Sequence, residues 1–409
     1  MTEKLFSEPV LKHLYDGPLK AFLDYFEALL SDRGYKRTVI KEKLRIVTDF
    51  REWLYQQHFE LNELSEGSID EFIKHQGTKG TIRRGCFATL RLLLKHLGHT
   101  DVNLDSHTED CSSHNIEKGF AQYLSQERGL SPNTIERYIP MVRHFLADRF
   151  RSEPVQTDKL NPSDVTTFIL RYAQTVKRKT AKLMVTVLRA FFRYLRLRGE
   201  IDADLAEFIP SIADWRLSDL PKALETHEVD LLLNNCDRSS KVGQRDYAIL
   251  LVLARLGLRA GEITKMTLDD IDWEAGELII QGKGPRKDRI PLPWDVGEAL
   301  VTYLQEVRPV CSTRRVFIRT KAPYQGFSSS VAVCNVVERA LLRAKLQPPC
   351  KGAHLLRHSL ATNMLRKGAS LSEIGEILRH ASITTTEIYA KVDIVALRTL
   401  AQPWPGGVA

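Results

Sequence analysis

The sequence predicts a mainly α-helical protein with two helical domains in its first half, followed by a mixed α/β domain with a small antiparallel sheet. Three observations support this fold class. A chain of 409 residues is too long for one ordinary domain. The first half repeats its own helical pattern, with apolar residues three and four positions apart. Beyond residue 221 the pattern changes to helices mixed with short strands.

The internal repeat in the first half has an offset that drifts from 94 to 98 residues. Each copy has a Gly after its first helix, and the Ser131-Pro132 pair is a typical helix start. We interpret the repeat as a duplicated helical domain; two unrelated helical bundles are the alternative. The matching segments are 26–34 with 120–129, 68–73 with 164–169, and 90–94 with 188–192.

The second half of the sequence mixes helical and strand patterns. Residues 248–258 predict a buried apolar helix. Residues 276–280 and 289–293 predict two short strands, because the segment between them consists of turn-forming residues. Further helices are predicted at 296–308, 328–344, 353–367 and 370–378.

The composition is that of a basic globular protein. Lys and Arg exceed Asp and Glu by eight, which favours a polyanionic partner, nucleic acid first and an acidic membrane surface second. The sequence shows neither an apolar run near the ~20 residues of a membrane helix nor the pattern of a signal peptide. Six scattered cysteines without a CxxC pair argue against a metal ribbon or a disulfide framework. We therefore expect a cytoplasmic protein.

Two stretches contain basic residues but no Asp or Glu, at matching places in the repeat. Residues 177–198 carry eight Lys and Arg, and residues 74–95 carry six. One such stretch is usually a solvated helix face, but two at equivalent positions favour contact with DNA phosphates. The DNA-binding residues predicted from the stretch 177–198 are Lys177, Arg178, Lys179, Lys182, Arg189 and Arg193.

Taken singly, each candidate catalytic motif has an ordinary structural explanation. Arg259 and Glu262 follow an apolar helix, where an Arg commonly meets free carbonyls. His354 and His358 have the spacing of a zinc pair, but the second motif position lacks the Glu of zinc proteases and no third ligand is evident. We therefore expect no metal. Tyr389 could be an ordinary amphipathic tyrosine.

Together and in this order, the motifs resemble the catalytic domain of tyrosine recombinases, the family of phage lambda-type integrases and Xer resolvases. The resemblance covers about 222–395, and 113–205 is similar, more weakly, to the core-binding domain of that family. The motifs are Gly257-Leu-Arg-x-Gly-Glu, Gly282-Lys-Gly, His354-x-x-Arg-His, Leu378-x-His380 and, nine residues later, Tyr389.

The resemblance implies a domain layout. Two helical, SAM-like domains precede the catalytic domain, and four protomers would act on two DNA duplexes. In this family a C-terminal segment docks on the neighbouring protomer, and Trp404 between two prolines would be a rigid anchor; a disordered end is the alternative. The expected parts are an additional helical domain (1–110), a core-binding domain (111–208), a linker (209–221), the catalytic domain (222–395) and a tail (396–409).

The implied chemistry suits a DNA phosphodiester, whose charge repels nucleophiles. Arg259 and Arg357 match the family's two phosphate-binding arginines, whose planar guanidinium groups would neutralise non-bridging oxygens. His380 matches a third donor to the same phosphate. Glu262 would hold Arg259 in orientation.

Three further residues would move protons and form the covalent bond. Lys283 matches the general acid that protonates the 5′-hydroxyl leaving group, with Lys287 as an alternative. His354 matches the residue that assists proton removal from the tyrosine. Tyr389 would be the nucleophile, giving a 3′-phosphotyrosyl intermediate. This intermediate conserves the bond energy, so we expect no cofactor. Arg379 is a departure, because the family usually has Gly there.

These features predict site-specific recombination of double-stranded DNA, in the integration, excision or transposition of a mobile element. A type IB topoisomerase-like activity is the enzymatic alternative. A DNA-binding regulator that keeps the residues without using them is the alternative from another class.

Overall fold

The computed structural model describes residues 20–57, 59, 64–78, 83, 85–96, 112–151, 153–213, 220–282, 287–380, 382–393 and 397–398. The chain forms two compact units. One is Val102–Arg216, and the other combines Met1–Asp101 with Leu217–Ala409. The predicted residues Lys283 and Trp404 lie outside the described residues. No helix in the described ranges is long and apolar enough to cross a membrane.

Four helices lie in the described residues of the N-terminal part of the larger unit. They are α1 (Lys20–Asp32), α2 (Arg37–Gln56), α3 (Glu66–Thr78) and α4 (Cys86–His96). On α2 the residues Ile40, Leu44, Val47 and Phe50 are all buried, at the spacing of three and four that keeps them on one helix face. They pack in one core with apolar residues of the other three helices.

The described residues of the smaller unit also form four helices in the same order. They are α5 (Ser112–Gln126), α6 (Pro132–Phe150), α7 (Pro162–Thr175) and α8 (Arg178–Leu197). Helix α6 begins at Pro132, as predicted, and a short 3₁₀ turn, Thr157–Lys159, precedes α7. The core of the smaller unit is formed by apolar residues of all four of these helices.

The two helical segments share the features on which the repeat was predicted. Gly34 and Gly129, the predicted breaks after the first helix of each copy, both have positive φ, +78° and +58°. The matched aromatic residues are buried in both copies: Phe26 with Phe120, and Phe72 with Phe168. The shared order of helices supports the interpretation as a duplicated domain.

The described residues of the mixed segment form seven helices and a three-stranded antiparallel sheet in the order β1-β2-β3. In the sheet, Leu278 of the central strand lies opposite both Ile271 and Ile290. Its elements are α9 (Thr226–Asn234), α10 (Lys241–Leu256), α11 (Ala260–Lys265), β1 (Ile271–Asp272), β2 (Glu277–Gln281), β3 (Lys287–Pro291), α12 (Trp294–Thr302), a π-helical turn (Tyr303–Val307), α13 (Val331–Arg343), α14 (Ala353–Arg366), α15 (Leu371–Ile377), and 3₁₀ turns at Leu268–Asp270, Ile383–Thr385 and Glu387–Val392.

Helix α10 is the central element of this segment, and its two ends show how local sequence sets its bounds. It begins seven residues before the predicted 248, because the Ser240 hydroxyl caps it by accepting from the Gly243 N–H at 3.1 Å. It ends at Leu256 because Gly257 adopts the left-handed conformation, with φ +58°. The turn at Gly257 leads directly into Arg259.

Gly257 is also enclosed by leucine side chains. A Cβ atom built on Gly257 would lie 2.8 Å from Leu378 Cδ2 and 3.0 Å from Leu360 Cδ2. The position therefore requires glycine twice, once for its backbone conformation and once for space. By contrast, Gly261 in the next helix has no atom within 4 Å of its ideal Cβ position.

We predict that Gly257→Ala destabilises the protein by at least about 1–2 kcal/mol, the usual cost of a left-handed L-residue, with the leucine contacts adding to it. Gly261→Ala is the matched control and should leave the stability unchanged or slightly raised, since alanine favours helix. Urea unfolding of the three proteins measures the difference. Equal midpoints for Gly257→Ala and wild type would contradict this account.

Candidate active site

The site is organised around Arg357, a buried arginine on α14. Its side chain is only 4% exposed, and its guanidinium donates to the backbone carbonyls of Gly257 and Leu378. Burial, followed by the charges of Arg259 and Arg379, lowers the pKa of Arg357 to about 10. Arg357 is therefore still charged at neutral pH and ties α14 to the segments that follow α10 and α15.

Arg259 lies at the start of α11, two residues after Gly257. Its backbone N–H donates to Glu262 Oε2 and its guanidinium Nη1 donates to Oε1, both at 2.8 Å. The Glu262 side chain is 8% exposed, whereas the Arg259 side chain is 39% exposed. Glu262 thus holds Arg259 in one orientation, in the arrangement expected from the sequence, while part of the guanidinium faces outward.

A third arginine enters the same cluster. Arg379 follows α15, is 5% exposed and donates from Nη2 to Glu262 Oε2 at 3.0 Å. Its burial lowers the pKa of its guanidinium. In the sequence, Arg379 was recognised only as a departure from the family pattern, and its position directly before His380 was the available signal.

Tyr389 lies on the last 3₁₀ turn with its ring buried, 1% exposed. Its hydroxyl is hydrogen-bonded to Nδ1 of His358 at 2.8 Å, and burial raises the pKa of the phenol to about 12. From the sequence, His358 was predicted as the last residue of the His354-x-x-Arg-His motif and weighed as a zinc ligand, but it was given no catalytic role. Its place beside Arg357 on one helix was the signal that it belonged to the site.

His354 lies one helical turn before His358, with the two ring centroids 6.5 Å apart. Burial is the main cause that lowers the pKa of both rings. Arg357 also lowers both pKa values, and the His354 ring lowers that of His358. The structure thus places His358, and not the predicted His354, in hydrogen-bond contact with the Tyr389 hydroxyl. Within the described ranges, no group of three or more His, Cys, Asp or Glu side chains could hold a metal ion.

His380 is held by a buried threonine. Its Nδ1 lies 2.7 Å from Thr386 Oγ1, and Thr386 is fully buried. Burial, followed by the positive charges of Arg357 and Arg259, lowers the pKa of His380 to about 4, so the ring is neutral at pH 7. If the Thr386 hydroxyl donates to Nδ1, then Nε2 carries the proton and can act as a donor.

The general acid predicted from the sequence, Lys283, lies between β2 and β3 and outside the described residues. The described part of this hairpin ends at the pair Gln281–Lys287. Lys287, the alternative acid, is exposed at the start of β3.

The predicted DNA-binding residues lie at and near the start of α8 and along this helix. Five of them are exposed. Arg189 is half-buried and donates to the Ile209 carbonyl at 2.9 Å and the Ser211 hydroxyl at 3.2 Å. The spacing of Arg178, Lys182, Arg189 and Arg193 puts them on one helix face.

Carboxylates from other parts of the chain pair with arginines of both basic stretches, for example Asp204 with Arg196 of the stretch 177–198. The same holds for the matching stretch of the N-terminal helices. Arg83 pairs with Asp49 at 3.0 Å and Arg91 pairs with Glu66 at 2.6 Å. The stretch is free of acidic residues in sequence but not in space.

Comparison with known proteins identifies the family. Residues 222–394 match the model of the phage integrase family, and residues 118–199 match the phage integrase N-terminal SAM-like domain. A putative integrase/recombinase of Sinorhizobium fredii, y4rA, is 40% identical over 394 residues, which cover 96% of each chain. The tyrosine recombinase XerD of Listeria innocua is 32% identical over 285 residues, 68% of this chain and 94% of that protein.

The fold agrees with this assignment. A solved structure of the XerH site-specific recombinase bound to its palindromic difH substrate aligns with 72% of this chain and 97% of its own, with a TM-score of 0.56 and 20% identity. The mainly helical fold, the SAM-like helical domain and the small antiparallel sheet expected from the sequence are confirmed. The chain therefore belongs to the phage integrase family and is a tyrosine recombinase, an enzyme that transfers DNA strands.

Proposed function

We propose that this recombinase cleaves and rejoins specific double-stranded DNA sites through a covalent bond between Tyr389 and a DNA 3′-phosphate. One observation carries the proposal. Helix α14 bears both Arg357, whose guanidinium binds the segments leading to Arg259 and His380, and His358, which holds the Tyr389 hydroxyl. One rigid element thus connects the phosphate-binding groups to the nucleophile.

In the proposed step, the scissile phosphate is bound by Arg259, Arg357 and Nε2 of His380. The Tyr389 oxygen attacks phosphorus, the bond to the 5′-oxygen breaks, and the leaving 5′-hydroxyl takes a proton from Lys283. Rejoining reverses these transfers: a 5′-hydroxyl of another strand attacks the phosphotyrosine, and the tyrosine regains its proton. The number of phosphodiester bonds is unchanged, so the exchange requires no external energy source.

The proton of Tyr389 is proposed to pass first to His358, because their hydrogen bond is the one that the structure supplies to this hydroxyl. The lowered pKa of His358 keeps the ring neutral, and thus able to accept a proton, at neutral pH. His354, one turn away on the same helix, would assist as the sequence predicts.

We extend the proposal to the whole chain. The SAM-like segment would line the DNA with α8, and the predicted layout places the domains at 1–110, 111–208 and 222–395. Four protomers on two duplexes would perform the exchange. The relative y4rA carries the name integrase, which supports recombination of a mobile element as the setting, and a cytoplasmic location fits this role.

The nucleophile is tested with a suicide duplex, nicked beside the cleavage point, whose sequence is selected from a random duplex library by the purified chain. Tyr389→Phe removes one hydroxyl, so DNA binding should persist while the covalent adduct disappears from denaturing gels. Tyr247→Phe, a partly buried tyrosine of the same domain, is the control and should form the adduct. Adduct formation by Tyr389→Phe would refute the assignment. If wild type formed the adduct without strand exchange, a topoisomerase-like enzyme would be indicated. If wild type formed no adduct and exchanged no strands, a DNA-binding regulator would be indicated.

The proton acceptor is tested by pH profiles of single-turnover cleavage. Wild type should cleave at a constant rate above about pH 6.5, the ordinary pKa of His, and slow as lower pH protonates His358. His358→Gln should cleave about 10²-fold more slowly at pH 7, the usual size of a general-base effect. Its rate should then rise steadily with pH, because a phenol with a pKa of about 12 must ionise unaided. His354→Gln, which removes only an assisting group, should cause a smaller loss of rate and keep the shape of the wild-type profile, and the reverse pattern would assign the role to His354.

The DNA-binding surface is tested by the salt dependence of half-site binding. The double variant Arg178→Ala/Arg193→Ala should lower the log–log slope by about 1.8, which is about 0.9 for each lost phosphate contact. The matched variant Arg83→Ala/Arg91→Ala removes two arginines that are already paired with carboxylates, and should leave the slope unchanged. An equal fall in this second variant would show that the N-terminal helices also contact DNA.

A further inference from the structure

Glu262 accepts hydrogen bonds from two different guanidinium groups, and each group donates to a different carboxylate oxygen. Oε1 accepts from the Arg259 side chain. Oε2 accepts from the Arg259 backbone N–H and from Arg379 Nη2. Without Arg379, Oε2 would be free to accept a second side-chain bond from Arg259, in the fork arrangement that Arg and carboxylate groups favour.

The exposure of the two arginines separates their tasks. Arg259 is 39% exposed and has guanidinium N–H groups beyond the one bound to Glu262, so it can reach a DNA phosphate. Arg379 is 5% exposed and is paired with Glu262, so it would act through that carboxylate. The negative charge of Asp288 on β3 raises the pKa of Arg379. The positive charge of Arg259 lowers it, because the two guanidinium groups repel each other.

The backbone of Arg379 points to the same conclusion. Its φ is +55°, in the left-handed region that favours glycine and that other residues rarely adopt. The flanking residues are fixed as well, since the Leu378 carbonyl accepts from Arg357 and His380 bonds to Thr386. An arginine kept in an unfavourable conformation, with its guanidinium buried on a charged partner, is typical of a functional position.

We infer that Arg379 is a positioning residue for the recombination reaction. By occupying Oε2 of Glu262, it limits Arg259 to one side-chain bond with this carboxylate and leaves the remaining guanidinium N–H groups for the scissile phosphate. It also raises the net charge of the group formed by Arg259, Arg357, Arg379 and Glu262 from +1 to +2. This inference rests on the proposed function of Arg259 as a phosphate-binding residue.

The test uses Arg379→Gly in the full chain, because glycine suits the local φ and preserves the backbone. Single-turnover cleavage of the suicide duplex at saturating protein should slow by about 10- to 100-fold, the effect of a small misplacement of a catalytic group. Half-site affinity should be unchanged. Arg379→Lys should recover part of the rate, since an ammonium group can also bind Oε2. Arg366→Ala, which breaks an exposed ion pair with Glu225, is the control and should cleave normally.

A double-mutant cycle separates positioning from other roles. In a Glu262→Gln background, Arg379→Gly should cause little further loss, because its effect passes through the carboxylate. Millimolar guanidinium chloride should partly rescue Arg379→Gly, while equal sodium chloride should not. The inference would be overturned if the losses of cleavage rate caused by Glu262→Gln and Arg379→Gly multiplied in the double variant. It would also be overturned if Arg379→Gly cleaved at the wild-type rate. Weakened DNA binding would instead indicate direct contact with DNA.

A measurement without DNA keeps the inference independent of cleavage. Modification of Arg259 by phenylglyoxal, followed by mass spectrometry, should be slower in Arg379→Gly than in wild type, because Glu262 would then engage both sides of the Arg259 guanidinium. An unchanged or faster modification rate would overturn the inference even if the wild-type protein formed no adduct. Absence of a wild-type adduct, with slower modification of Arg259 in the variant, would count against the proposed function alone.

Discussion

The burial of the Arg357 guanidinium is the constraint on which the rest of the site depends. A buried cation must have acceptors for its N–H groups, and here two backbone carbonyls provide them, from Gly257 and Leu378. Each carbonyl belongs to a segment that carries a further functional group within two residues: Arg259 after the first, and His380 after the second. The hydrogen bonds of this one arginine therefore hold α14 together with the segments that follow α10 and α15.

The choice of acceptors also determines the charge of the site. A carboxylate facing Arg357 would cancel its charge, whereas carbonyls satisfy its N–H groups and leave the charge in place. The Glu262 carboxylate is shared between two arginines. The pocket thus keeps a net positive charge before any DNA arrives, which is the preorganised field that stabilises an anionic transition state.

Much of this could be predicted from the sequence, because the information was local. Helical periodicity gave the order of the helices, glycines marked their ends, and the spacing of motifs indicated the candidate residues. The remainder depends on contacts between distant positions. Arg379 and Glu262 are 117 residues apart, and the pairing of Arg83 with Asp49 joins α2 to the segment before α4, so neither has a local signal. Strand β1 is two residues long, too short for any periodic pattern.

The placement of Tyr389 has a consequence for the enzyme before it finds its site. With a pKa of about 12, only about one phenol in 10⁵ is ionised at pH 7, and the ring is enclosed by protein. A recombinase that slides along a chromosome passes very many phosphodiester bonds for each correct one. In the proposed mechanism, a protonated and covered Tyr389 oxygen would not attack at these encounters, so the resting enzyme would leave the genome intact during its search.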